Sequence, residues 1–195
     1  MSHSENLYRD PYGTAEIAAA EIAERSGVLQ HQIALVMGSG WVGATQAFGT
    51  PTTELNTEEI PGFLPPTVAG QSNQIRSYEL NGKFAPIRAL VFLGRTHLYE
   101  GRGIEPVVHA VRTAVKAGCQ IIILTNASGG INTSYQVGQP ILIRDHISLT
   151  AMSPLIGADF VDLTDLYSKR IRAIVKNEDS SLEEGVYPRT PTIRG

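Results

Sequence analysis

Short apolar runs alternate with amphipathic segments along this chain, and each run predicts an element of secondary structure. Ile33–Met37 and Gln120–Thr125 predict buried strands, because these runs are too short for helices and end beside small or polar residues. Polar and apolar residues alternate over Gln74–Leu80, Asn81–Gly82 is a turn signal, and Phe84–Leu93 is apolar again. Two strands around an Asn-Gly pair predict a β-hairpin.

Three segments with helical character lie between these runs, at Thr14–Ser26, Glu105–Ala117 and Tyr167–Lys176. Thr14 is the expected N-cap of the first helix, and Gly27 follows it where glycine is favoured. The second helix is expected to bury the face formed by Val107, Val108, Val111, Ala114 and Val115. With Pro140–Leu149 as a further strand, the order predicts a single α/β domain over residues 1–195, with a mixed central β-sheet flanked by helices.

The composition argues against several classes of function. The chain has 195 residues, 42% of them hydrophobic, and its scattered charges sum to −3, which does not favour a nucleic-acid or membrane partner. Its apolar runs are too short to span a bilayer. The single cysteine, Cys119, fits a reducing cytosol and a packing role. We expect His31 at the surface and His146 in the interior, and no histidine pair has the spacing of a metal site.

Three polar loops each follow a predicted strand, and they are the strongest candidates for chemistry. Gly38–Gly40, Gly94–Gly101 and Thr125–Gly130 are rich in glycine or small residues, which expose backbone N–H groups to an anion. Ligands of open α/β sheets gather at the carboxyl ends of strands, so the three loops are expected to converge. Arg95 and His97 lie two residues apart, on one face of an extended chain, and suit a phosphate.

A rival interpretation comes from the glycine pattern Gly38–Gly43, which matches the dinucleotide fingerprint of nicotinamide-dependent oxidoreductases. That fingerprint must open a helix, and an acidic residue must end the next strand. Here Pro51 interrupts a helix early, and no apolar strand is expected before Glu58 and Glu59. The oxidoreductase remains an alternative at this point.

Taken together, and in order, the loops resemble the trimeric purine nucleoside phosphorylases of actinobacterial type. The resemblance extends over about Ile17 to Tyr187, and it is carried by Gly38-Ser39-Gly40-Trp41, Ile60-Pro61-Gly62-Phe63, Gly94 to Gly101, Thr125 to Ile131, Ile143 to Thr150 and Phe160 to Ser168. It implies a cytoplasmic homotrimer that cleaves purine ribonucleosides or deoxyribonucleosides with inorganic phosphate as co-substrate. The products would be the free base and a pentose 1-phosphate, and no cofactor or metal would be needed.

The resemblance also implies roles for individual residues. Phosphate would be held by Ser39, Arg95, Thr96, His97 and the backbone of Ala127, with Gln71 as a further contact. Tyr99, Asn126 and Ser128 would contact or shape the ribose site. Phe160 lies in the segment that supplies an aromatic ring to a neighbouring subunit.

The chain departs from the family pattern at several positions. Gln71 stands where many members have histidine, and Ser148 stands where many have asparagine. Residues 177–195 diverge, and the purine-binding glutamate and asparagine of the family lie in the region after this stretch. We therefore expect an incomplete domain with impaired activity. A non-catalytic remnant that binds phosphate or a sugar phosphate is the other alternative.

Overall fold

A computed structural model of the chain describes residues 3–38, 40–65, 73–155, 157–158 and 160–189. Its contacts group the chain into two units, Met1–Ser128 and Gly129–Gly195. The predicted single domain over residues 1–195 stays a prediction.

The first unit is built on a five-stranded sheet with the order β2-β3-β4-β1-β5. The strands are β1 Ile33–Met37, β2 Thr53–Asn56, β3 Gln74–Leu80, β4 Ile87–Leu93 and β5 Ile121–Leu124. β1 runs parallel to both β4 and β5, whereas β3 is antiparallel to β2 and β4. The carboxyl ends of β4, β1 and β5 therefore lie side by side at one edge of the sheet, and the predicted mixed sheet is confirmed.

Helices cover one face of this sheet. The three α-helices of the unit are α1 His3–Arg9, α2 Pro11–Ser26 and α3 Glu105–Lys116, and short 3₁₀ helices occupy Val42–Phe48, Thr57–Glu59 and Leu98–Glu100. Ala18, Ile22 and Ala114 of the helices pack against Val36 and Phe92 of the sheet. Alternate strand residues point to the opposite face, where Met37, Tyr78, Ala89, Val91 and Leu93 form a second cluster with Phe48 packed against it.

The second unit contains two parallel strands, β6 Ile141–Ser148 and β7 Glu183–Arg189, and the helix α4 Lys169–Glu178. The pairing register of the strands shifts between Ile143 and Asp145. The Ser168 hydroxyl caps α4 by accepting a hydrogen bond from the Ile171 N–H at 3.4 Å. Arg172 of α4 forms an ion pair with Glu184 of β7, with Nε and Oε1 3.0 Å apart, which ties the helix to the strands.

The predicted elements are confirmed, with corrections at their ends and in the burial of β5. This strand was predicted to be buried, but it lies at the edge of the sheet, and Ile123 and Leu124 are 42% and 59% exposed. β4 begins at Ile87 rather than at Phe84, so the hairpin connection spans residues 81–86 and is longer than an Asn-Gly turn. The first helix begins at Pro11, because Asp10 is its N-cap and accepts from the Gly13 N–H at 2.8 Å. Thr14 is therefore not the cap, and its hydroxyl donates instead to the Asp10 carbonyl.

The buried face predicted for α3 is confirmed only at Ala114. Val115 is 57% exposed, and the side chains that α3 buries belong to Pro106, His109, Ala110, Thr113 and Ala114. Ala110 and Ala114 share a core cluster with Ala18 and Ala19 of α2. The larger His109 is covered by Phe63, with ring centroids 4.6 Å apart.

Two histidine predictions are also wrong, whereas the cysteine prediction is confirmed. His31 is 1% exposed, because its ring fills the core and its Nε2 lies 2.9 Å from the Ser77 hydroxyl. Burial, with a smaller effect from the Arg88 charge, lowers the pKa of His31 from 6.5 to about 4. His146 is exposed rather than interior. Cys119 is buried, and burial raises the pKa of its thiol to about 11.

Candidate functional site

The three loops predicted to converge do meet at the carboxyl ends of β4, β1 and β5. Gly38 follows β1, Arg95 lies two residues beyond β4, and Thr125 follows β5 directly. The Arg95 guanidinium donates from Nη1 to the Thr125 carbonyl at 2.5 Å, and the Gly38 N–H donates to the Thr125 hydroxyl at 2.8 Å. These two bonds hold the loops together.

Thr125 is central to this junction, although no role was predicted for it. Its backbone N–H donates to the Val36 carbonyl at 3.1 Å, and its hydroxyl lies 3.3 Å from the same oxygen. The residue therefore continues the β1–β5 pairing while its carbonyl anchors Arg95. A small hydroxyl-bearing residue directly after an apolar strand is the signal that could have identified it.

Gly38 is required by the closeness of its neighbours. A Cβ atom at this position would lie 2.5 Å from the Thr125 carbonyl oxygen and 2.7 Å from Nη1 of Arg95. Ordinary contacts of a Cβ atom begin at about 3.4 Å, so only glycine fits without a shift. The guanidinium consequently lies against the backbone of the glycine loop.

The second loop is rigid around His97. Glu100 accepts from the His97 N–H through Oε1 at 2.6 Å, and the Glu100 N–H donates back to the His97 carbonyl at 3.0 Å. The His97 ring stacks on the Tyr99 ring with centroids 4.8 Å apart, and Tyr99 is 64% exposed. Glu100 was not predicted as a site residue, but the spacing His-x-x-Glu is that of a capping box and could have revealed it.

The third loop is connected to the first by Trp41. Its indole Nε1 donates to the Asn126 carbonyl at 3.2 Å, and its own backbone N–H donates to the Gly38 carbonyl at 3.1 Å. The Ser128 hydroxyl donates to the Asn126 side-chain oxygen, which holds the loop in a local turn. Trp41 was noted in the sequence only as part of a motif.

A small cleft, open to solvent, begins beside Arg95 and Thr96. Its walls combine polar groups of the second loop with apolar side chains from other segments, and the lining residues include Thr57, Phe63, Pro65, Asn73, Glu100 and Val107. A concave surface with a few polar groups at one end is typical of small-molecule sites.

The structure brings Arg95 into contact with the third loop, which carries Asn126, Ala127 and Ser128. Thr96, His97 and Tyr99 lie in the same loop as Arg95. Ser39 and Gln71 lie outside the described residues. Phe160 belongs to the second unit and is 92% exposed. The binding role of each residue stays a prediction.

The dinucleotide interpretation finds no support in the backbone. The segment after Gly38–Gly43 is the 3₁₀ helix Val42–Phe48 instead of an α-helix. No apolar strand was expected before Glu58 and Glu59, and the strand that lies there, β2, is short and polar and forms an antiparallel edge strand. The fingerprint needs a parallel strand at that point. Glu59 is instead engaged by Arg25 of α2.

The residues that the structure describes include neither a candidate metal site nor a helix that could span a membrane. No group of three or more histidine, cysteine or carboxylate side chains there could hold a metal ion. No helix in the same described ranges is long and apolar enough to cross a membrane.

Comparison with known proteins gives one consistent result. Residues 32–194 match the phosphorylase superfamily. The chain is 50% identical over 182 residues to purine nucleoside phosphorylase of Mycobacterium tuberculosis, covering 93% of this chain and 66% of that protein. It is 49% identical over 183 residues to the Cellulomonas enzyme of the same name, covering 93% of this chain and 65% of that protein. The chain thus spans slightly less than two thirds of the length of these relatives.

Solved structures agree with these sequence relatives. The crystal structure of isoform 2 of purine nucleoside phosphorylase from Schistosoma mansoni, in complex with cytosine and ribose-1-phosphate, is similar with a TM-score of 0.78. It is 26% identical, and the match covers 94% of this chain and 69% of that one. The chain therefore belongs to the phosphorylase superfamily and, within it, to the purine nucleoside phosphorylase family.

Proposed function

We propose that the protein is a purine nucleoside phosphorylase, which cleaves the N-glycosidic bond of purine ribonucleosides or deoxyribonucleosides with inorganic phosphate. The observation that carries the proposal is the junction of Gly38, Arg95 and Thr125, where a guanidinium is anchored among glycine-rich strand ends. Backbone N–H groups beside a fixed arginine form a setting that favours a phosphate anion. The names of the bacterial relatives support the same activity.

The reaction joins a phosphate oxygen to C1′ of the sugar while the bond from C1′ to the purine nitrogen breaks. The base leaves with the electron pair of that bond and takes up a proton. Because the sugar carbon becomes positively charged in between, the protein's main task is to hold the phosphate anion beside it. Ser39, Arg95, Thr96, His97 and the Ala127 N–H would bind the phosphate, and Tyr99, Asn126 and Ser128 would contact the ribose.

The proposal extends to Gln71, to Phe160 and to the place of the protein in the cell. Gln71 would add an amide donor to the phosphate. Phe160, with 92% of its surface exposed, would reach the site of a neighbouring subunit in a homotrimer. The protein would act in the cytoplasm, where nucleosides and phosphate are both available. Sedimentation of the purified protein tests the trimer, and the reduced activity expected of this chain stays a prediction.

Phosphorolysis of inosine tests the proposal directly. Hypoxanthine release is followed with xanthine oxidase at increasing phosphate, for the wild type, Arg95→Gln and the control Arg88→Gln. Arg88 lies at the other end of β4 and forms an ion pair with Glu79, so its loss leaves the strand-end junction intact. Loss of charged hydrogen bonds predicts a fall in kcat/KM for phosphate of about 10- to 100-fold for Arg95→Gln alone.

Other outcomes of this assay point elsewhere. Release of hypoxanthine without dependence on phosphate would contradict the proposal. Phosphate binding without turnover would favour the non-catalytic remnant. Binding of a nicotinamide dinucleotide, with no response to phosphate, would favour the oxidoreductase.

A further inference from the structure

Two successive backbone carbonyls of the third loop are each held by a side chain from another loop. The Thr125 carbonyl accepts from Nη1 of Arg95 at 2.5 Å, and the Asn126 carbonyl accepts from the indole Nε1 of Trp41 at 3.2 Å. Both donors come from loops that follow other strands, β4 and β1. The orientation of this backbone is therefore set from outside the loop.

A carbonyl and the N–H of the next residue belong to one rigid peptide plane. In a trans peptide they point in opposite directions, so fixing the carbonyl also fixes the direction of the N–H. The Arg95 bond thus sets the Asn126 N–H, and the Trp41 bond sets the Ala127 N–H. Ala127 is the residue whose N–H is proposed to hold phosphate.

Trp41 is itself held in position by the glycine loop. Its backbone N–H closes a turn onto the Gly38 carbonyl at 3.1 Å, and its side chain is 37% exposed. The Trp41 ring is large and partly exposed, and its single donor is bonded to a backbone carbonyl. The ring therefore contributes little to the hydrophobic core. Hydrogen bonds in series also polarise one another, so a donor on the Asn126 carbonyl makes the Ala127 N–H a stronger donor.

We infer that Trp41 is a positioning residue for phosphate, acting through the Asn126–Ala127 peptide that its indole N–H orients. The inference rests on the proposed function and adds a residue that does not touch the anion. A positioning role predicts that phosphate affinity falls when the indole N–H is lost, even if the loop stays folded. A purely structural role predicts lower stability with unchanged affinity.

The experiment is a calorimetric titration of inorganic phosphate into the full chain and its variants. Trp41→Phe keeps an aromatic ring and removes the donor. Tyr135→Phe is the matched control, because it removes a bond of the same kind, from the Tyr135 hydroxyl to the Glu184 carbonyl at 3.3 Å, in the second unit. We expect a phosphate Kd about 3- to 10-fold higher for Trp41→Phe, from the loss of one hydrogen bond, and no change for Tyr135→Phe.

A second variant covers the case in which Trp41→Phe fails to fold. The chain contains one tryptophan, so growth of a tryptophan auxotroph on benzothienylalanine replaces only the N–H of this ring by sulfur. Urea unfolding of each protein records stability beside affinity. A raised phosphate Kd in the folded analogue protein supports the inference.

The failures of the two proposals can be told apart. Wild-type protein that binds phosphate, together with donor-free variants that bind it equally well, overturns the role of Trp41 and leaves the proposed function standing. Wild-type protein that does not bind phosphate overturns the proposed function and the inference with it.

Discussion

The substitution Gly38→Ala tests how closely the candidate site is packed. The new Cβ would lie 2.5 Å from the Thr125 carbonyl oxygen, against the 3.4 Å at which ordinary contact begins, so the overlap is 0.9 Å. Toward Nη1 and Nη2 of Arg95 the distances would be 2.7 and 2.9 Å. Relief of the 0.9 Å overlap displaces the Thr125 carbonyl, which the 3.1 Å bond from the Thr125 N–H to Val36 resists. Relief of the overlaps of 0.7 and 0.5 Å with the two guanidinium nitrogens displaces the Arg95 side chain bonded to that carbonyl.

Two effects of this shift can be separated. Overpacking a tight site costs about 1–3 kcal/mol, so the free energy of unfolding in urea should fall by that amount. A displacement of close to 1 Å at a binding group lowers kcat/KM on the order of 10²-fold, and phosphate should show that loss. Gly43→Ala is the matched control, because nothing lies within 4 Å of a Cβ there.

Urea unfolding and the phosphate dependence of inosine cleavage are measured on both variants. Gly43→Ala should stay within about 0.5 kcal/mol of the wild type in stability and keep its phosphate dependence. If Gly38→Ala matches Gly43→Ala in both measurements, the packing of Arg95 against the glycine loop is refuted.

Three further predictions concern the framework. The folded-state pKa of His31 is lowered to about 4, so the free energy of unfolding should fall as the pH falls from 6.5 toward 4. His31→Asn retains a polar partner for Ser77 and should reduce this loss of stability, as measured by urea unfolding across the same pH range. Cys119 should not react with a thiol reagent at pH 8 until urea unfolds the protein, since its thiol is buried with a pKa of about 11; rapid labelling of native protein would contradict this. Asp10→Ala should lower the unfolding free energy by about 1 kcal/mol through loss of the α2 cap, and an unchanged urea midpoint would exclude that role.

Local patterns predicted most of the fold because each strand carries its own signal. The runs Ile33–Met37 and Ile121–Leu124 are apolar and bounded by polar residues, so their strand conformation follows from their own composition. Burial does not follow in the same way, because β5 lies at the edge of the sheet and Ile123 and Leu124 are 42% and 59% exposed. β2 was missed because Thr53–Asn56 is short and polar, and its strand conformation comes from pairing with β3. The buried face of α3 was missed at all positions but Ala114, because neighbours distant in sequence, such as Phe63 beside His109, decide which side chains are covered.

The same distinction separates the site residues that could be predicted from the sequence from those that were missed. Arg95 and the glycine-rich loops could be predicted as site residues from the sequence, because charge and backbone flexibility are properties of single residues. Thr125 and Trp41 were not assigned roles, since each acts through a backbone carbonyl or N–H brought close by the sheet order. Contacts between residues more than 80 positions apart depend on topology, and no local pattern encodes them. His31 was misplaced for the same reason, as its partner Ser77 lies on another strand.

In the proposed reaction, phosphate rather than water breaks the glycosidic bond. Phosphorus NMR of the full chain with inosine and inorganic phosphate follows both the anion and its product in one sample. We expect the inorganic phosphate signal to fall and a pentose 1-phosphate signal to rise in equal amount with free hypoxanthine. Hypoxanthine released while inorganic phosphate stays constant, or no sugar phosphate formed at all, would contradict it.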